Sequence, residues 1–171
     1  MLRSPLKVVP PPKNKSAARR EQIRDGLWPD SASLVWDRKK EKGFCTIPRT
    51  LALVLTLIDH LQKGKDASRV YFDLWCRAFD DYLIEVPDEE ALAYSAGYIS
   101  GRNVRTCRER IHVLEKHGFI RVEASGTKRY ANLFIVDPHK VVKKLNEQGH
   151  VPKNWWNAFN QRAAEIGCVL P

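Results

Sequence analysis

The run RNVRTCRERIHVLEKHG (102–118) sets Arg102, Arg105, Arg108 and Arg110 beside Asn103 and Thr106, and SGTKR (125–129) adds Lys128 and Arg129. Guanidinium and ammonium groups neutralise phosphate oxygens, and arginine also presents a planar fork that meets two acceptors at once. The Asn103 amide both donates and accepts, so it suits either the edge of an adenine or the capping of its own helix. Chemistry of this kind grips a polyanion without making or breaking bonds. The motifs that would do covalent work are missing from the sequence, which has no GxxxxGK[ST], GxSxG, HExxH or paired-cysteine pattern. Asp80, Asp81, Glu85, Asp88, Glu89 and Glu90 come closest to a metal set. No histidine accompanies them, and three sit where the positive end of a helix already favours acids. The expectation is a protein that is not an enzyme, needs no cofactor and holds no metal.

A chain of 171 residues with 43% apolar content and five tryptophans can bury one good core. Its net charge of +9 is unevenly spread, at +7 over 1–49, −5 over 50–95, +6 over 96–150 and +1 beyond. Faces of opposite sign steer a polyanion onto one surface. Cys45, Cys76, Cys107 and Cys168 show no metal-ligand spacing and read as free, reduced thiols. MLRSPLKVVPPPKNK holds no apolar stretch of signal length, and the longest apolar run, LALVLTLI (51–58), has eight residues against the ~20 that cross a bilayer. The expected place is the cytoplasm, in association with the nucleoid.

The elements that must position these residues follow from spacing and punctuation. Residues 1–18, with PPP and scattered Lys, read as a basic arm, followed by a short helix over 17–23. LWPDSASLVW (27–36) is expected to pack on the main body. Thr46 is the N-cap candidate for the apolar helix in TIPRTLALVLTLIDHLQKG, and Ser68 for SRVYFDLWCRAFDD. YLIEV reads as a brief strand, PDEEALAYSAGY as a short helix that Gly97 ends, and 102–118 as an amphipathic helix that Gly118 ends. In that helix Val104, Cys107, Ile111 and Leu114 form the buried stripe, while Arg102, Arg105, Glu109, His112 and Lys116 lie opposite. FIRVEA and YANLFIV make a hairpin with SGTKR at its tip, and two helices follow. Trp155, Trp156, Phe159 and Ala163 align on the second of these and need a surface, either LWPDSASLVW or a second copy of the chain.

The order helix, strand, helix, turn, helix, hairpin resembles a winged helix-turn-helix domain, a superfamily that includes regulators and replication proteins of plasmids and mobile elements. SRVYFDLWCRAF corresponds to its first helix, DEEALAYSAG to the second, GRNVRTCRERIHVLEKHG to the third and FIRVEASGTKRYANLFIV to the wing; the ERIHVLEKHGFI exit is similar to that of the superfamily's recognition helix. The resemblance implies an α+β, mainly helical fold, with a winged helix-turn-helix core over 67–138. Around it would lie the arm over 1–18, an N-terminal helical extension over 19–66 and a C-terminal one over 139–171. It implies groove contacts with double-stranded DNA from Ser100, Arg102, Asn103, Arg105 and Thr106, and backbone contacts from Lys128 and Arg129. Residue by residue, plainer readings stay open. Arg102 and Arg105 also fit a solvated helix face, with Arg105 paired to Glu109; Ser100 also fits a cap; Arg108 and Arg110 either touch phosphates or pair internally. Lys13, Lys15, Arg19 and Arg20 either wrap the duplex or merely solubilise the arm. The function so implied is a sequence-specific DNA-binding regulator of transcription or replication, with no membrane partner and a homodimer through the C-terminal helices. A protein-interaction adapter and a non-specific DNA-packaging component are the alternatives.

Overall fold

The computed structural model of the chain describes residues 15–170. Among them it is a mixed α+β fold with eight helices and one small three-stranded antiparallel sheet. The chain divides into two compact units, 1–43 and 44–171.

The first unit contains α1 (Lys15–Leu27) and α2 (Ser31–Leu34). α1 begins inside the stretch read as the basic arm and runs longer than the short helix expected over 17–23. The two helices are tied at Asp25, whose carboxylate accepts hydrogen bonds from Arg24 Nε and Ser31 Oγ, both at 2.8 Å. Leu27, Trp28, Leu34, Val35 and Trp36, expected to be covered, are each exposed.

The second unit holds α3 (Leu51–Leu61), α4 (Ser68–Arg77), β1 (Leu83–Glu85), α5 (Glu89–Ser95), α6 (Asn103–Lys116), β2 (Ile120–Ser125), β3 (Lys128–Ile135), α7 (Pro138–Glu147) and α8 (Lys153–Glu165). The sheet order is β1-β3-β2, with Ile84 opposite Leu133 and Val122 opposite Leu133 from the other side. One core runs through all of it: Leu51, Val54, Leu57 and Ile58 of α3, Val70, Tyr71 and Leu74 of α4, Ile111 and Leu114 of α6, and Phe119, Ile120, Leu133 and Ile135 around the sheet. Tyr71 anchors the centre, edge-on to Phe119 at 5.5 Å and to Trp75 at 6.2 Å.

α3 is apolar on most of its circumference because it is covered from two sides. Its far side meets α8, where Trp155 Nε1 donates to the Leu53 carbonyl at 3.1 Å and to Thr56 Oγ1 at 3.0 Å. Trp155 and Trp156 stack on Phe159 at 5.0 and 6.0 Å. The aromatic row therefore covers α3 of its own chain, a surface that the sequence pattern did not suggest.

Two caps differ from expectation. α3 starts at Leu51, so Thr46 lies too far upstream to cap it; Thr50 takes the cap position, and its hydroxyl is bonded instead to His139 Nε2 at 2.7 Å. Ser68 is the first residue of α4 rather than its cap. Asp59 of α3 does the capping from outside, accepting from Ser68 N at 2.9 Å and from Ser68 Oγ at 2.6 Å. Asp59→Ala should cost about 1–2 kcal/mol, since it leaves both donors without an acceptor, and Asp59→Asn should cost less. Urea unfolding of the two variants checks this.

Candidate nucleic-acid interface

α6 is set by its buried stripe. Cys107, Ile111, Val113 and Leu114 face the core, with Val104 half-buried. Burial pushes the Cys107 thiol up to about 12, as suits a packing residue rather than a reactive one. The connection from α5 is tight. Gly97 at φ +86 lets the chain reverse, with Gly97 N bonded to Tyr94 O at 2.9 Å and Tyr98 N to Ala93 O at 2.9 Å. Asp88 caps α5 through Glu90 N and Ala91 N, so those amides are already occupied.

The outer side of α6 stays open and forms one wall of a shallow groove of about 460 Å³. Arg105, Arg108 and Lys116 of α6, Lys65 from the α3–α4 connection and Tyr130 of β3 line it, with Glu109 the acid among them. Arg105 is the most open of the guanidinium groups, with its side chain 78% exposed and Nε 3.4 Å from Glu109. Lys65 Nζ also reaches Glu109, at 4.0 Å. Four cations and one carboxylate in the lining leave the groove positive.

The other expected contact residues occupy distinct places. Ser100 and Arg102 are exposed on the turn before α6. Ser100 is not the cap: Arg102 holds that position without a side-chain bond, and the Ser100 carbonyl accepts from Asn103 N at 2.9 Å. Asn103 turns its Oδ1 back to Val104 N at 2.7 Å, so its carbonyl serves its own helix while the NH2 group carries no such bond. Thr106 is half-buried. Arg108 Nε donates to Glu89 of α5, and this bond holds the guanidinium more firmly charged. Arg110 does not share the open face. Its side chain is only 14% exposed, and it lies near the Gly64 carbonyl and Glu109, holding α6 to the α3–α4 connection.

Lys128 and Arg129 are not at the hairpin tip. The turn consists of Gly126 and Thr127, and both cations belong to β3. Lys128 Nζ donates to the Pro87 carbonyl at 2.7 Å, while Arg129 lies 3.6 Å from Glu115 and over the Tyr130 ring. Both lean back on the body of the unit. In the other unit, Arg19 and Arg20 are exposed on α1 and Lys15 opens that helix; Lys13 lies outside the described residues.

Sequence reasoning missed Lys65 and gave Lys116 and Glu109 no role at the site. The 3.6-residue period had placed Lys116 and Glu109 on the open face, so that signal was present. Lys65 had none, because it arrives from another helix pair. Among the described residues, no helix is long and apolar enough to cross a membrane. Compared with known proteins, the chain matches no family model, no curated protein and no solved structure.

Proposed function

We propose that the chain is a sequence-specific double-stranded DNA-binding protein that regulates transcription or replication, and that α4 to β3 act as a winged helix-turn-helix with α6 as the reading helix. The observation that carries this reading is the open cationic groove along α6, with Arg105 its most accessible guanidinium. The element order and the β1-β3-β2 sheet support it, since they set α6 and the hairpin beside one another on a common core. Phosphates neutralised by the lysines and arginines would supply affinity, and the side chains on the first turns of α6 would supply site choice. An adapter built on the aromatic C-terminal helix is less well supported, because Trp155, Trp156 and Phe159 are engaged within the chain.

The test is retention of a pool of genomic duplex fragments across salt. Four phosphate contacts from the groove would give a slope of log K against log salt of about −3.6, hence a fall of roughly 10²-fold between ~50 and ~200 mM salt. Selective retention of a few fragments is the expected result. Equal retention of all duplexes would replace site recognition by packaging, and no retention at ~50 mM salt would overturn the reading.

A further inference from the structure

The cationic surface does not end with α6. A second and larger groove of about 790 Å³ runs between the C-terminal end of α6, β2 and α7, and it adjoins the first at Lys116, which lines both. Its wall carries Lys116, His117, Arg121, Lys140, Lys144 and His150. The acid in its lining is Glu115, already engaged by Arg129 at 3.6 Å. Lys116, Arg121, Lys140 and Lys144 are all exposed, and none forms an ion pair with a described residue. This differs from the α6 groove, where Arg105 and Arg108 each hold a carboxylate.

The floor of the second groove is apolar, made of Ile120, Val141 and Leu145 at 1%, 6% and 4% exposure. A low-dielectric floor under clustered cations concentrates their field above it. Lys140 and Lys144 lie one helical turn apart, with Cβ atoms ~6 Å from each other, so their like charges repel when nothing anionic lies between them. His117 adds no positive charge at neutral pH, since burial first, then Lys116 and His150, hold its pKa below the ordinary histidine value.

We propose that this groove is a second phosphate-backbone site, which carries the nucleic acid bound at α6 onward across β2 and α7. The inference rests on the DNA-binding reading above and extends it. The site offers point charges and one guanidinium, with few groups able to tell base edges apart, so it adds affinity and fixes orientation without choosing sequence. It also accounts for the C-terminal pair of helices: α8 fastens α3, and α7 presents Lys140 and Lys144 beside Arg121.

The experiment is the salt dependence of duplex binding by the full chain and two double variants. With Arg121, Lys140 and Lys144 added to the four cations of the α6 groove, the wild-type slope should be about −6.3. Lys140→Gln with Lys144→Gln should make it shallower by about 1.8 and leave the ranking of fragments unchanged. Lys143→Gln with Lys153→Gln removes the same charge outside the groove and should leave the slope as in the wild type. All four lysines are exposed, so thermal midpoints should match and report intact folding. A wild-type slope in the Lys140/Lys144 variant, with wild-type binding intact, would overturn the second site and leave the α6 reading standing. A variant that loses binding to poly-glutamate yet keeps its DNA slope would overturn it in favour of an acidic protein partner. Failure of the wild type to bind any duplex would overturn both.

Discussion

Phe159→Ala should destabilise the 44–171 unit by about 3–5 kcal/mol, a loss that takes up much of the roughly 5–15 kcal/mol by which such folds are stable. Phe159 is 1% exposed, and three rings surround it: Trp155 and Trp156 stacked at 5.0 and 6.0 Å, and His139 edge-on at 5.8 Å. Truncation empties the point where α8 and α7 meet, and neither tryptophan can collapse into the space without giving up its own packing. Trp155→Phe is a milder companion, since it keeps an aromatic ring, though a smaller one, but drops the donor to the Leu53 carbonyl and Thr56, and should cost about 1–2 kcal/mol. The loss at Phe159 should not depend on protein concentration, because the surface it covers belongs to the same chain. A midpoint that rises with concentration in the wild type and not in the variant would instead mean that α8 docks between two copies. Denaturant unfolding at two concentrations separates these outcomes.

What could be read from residues alone was what residues encode locally. Gly97 and Gly118 end helices at φ +86 and +81, as their positions after apolar periods suggest. The stripe through Cys107, Ile111 and Leu114 turned inward as its three- and four-residue steps require. The hairpin was legible too, although its turn was placed too broadly: SGTKR looks like a five-residue tip, yet Ser125 pairs with Lys128 across Gly126 and Thr127. Local misreadings were of boundaries, such as the Thr46 cap and the width of the turn; what had no local signal was contact between elements. Asp59 caps α4 nine residues ahead of it, Trp155 reaches back 102 residues to Leu53, and Lys128 reaches back 41 to Pro87. A periodic pattern says which face must be covered and is silent on what covers it. The Arg105–Glu109 pair, four residues apart on one helix, was legible, but the partners of Arg108 and Arg110 were not: the two look alike in sequence, yet Glu89 and the Gly64 loop give them different roles.

That sorting makes Arg105 the cleanest probe of the proposed interface. Arg105→Ala removes a side chain that is 78% exposed, and its one carboxylate partner is held at 3.4 Å in an exposed pair worth little, so stability should change by no more than about 0.5 kcal/mol. Binding should change far more. If the guanidinium forks onto a guanine edge, affinity for the preferred fragment should fall about 10- to 100-fold while a scrambled fragment loses much less, narrowing the gap between them. A contact to phosphate alone would instead weaken every duplex alike and flatten the salt slope by about 0.9. Arg108→Ala cannot make this distinction, because it leaves Glu89, whose side chain is only 15% exposed, without its cation and so perturbs α5 as well. Removing the acid in place of the base gives the reciprocal test. Glu109→Gln leaves Arg105, Arg110 and Lys65 without their shared carboxylate and lowers the negative charge inside the groove, so duplex binding should tighten. Unchanged affinity in both Arg105→Ala and Glu109→Gln, with folding intact, would remove the α6 face from any part in holding DNA.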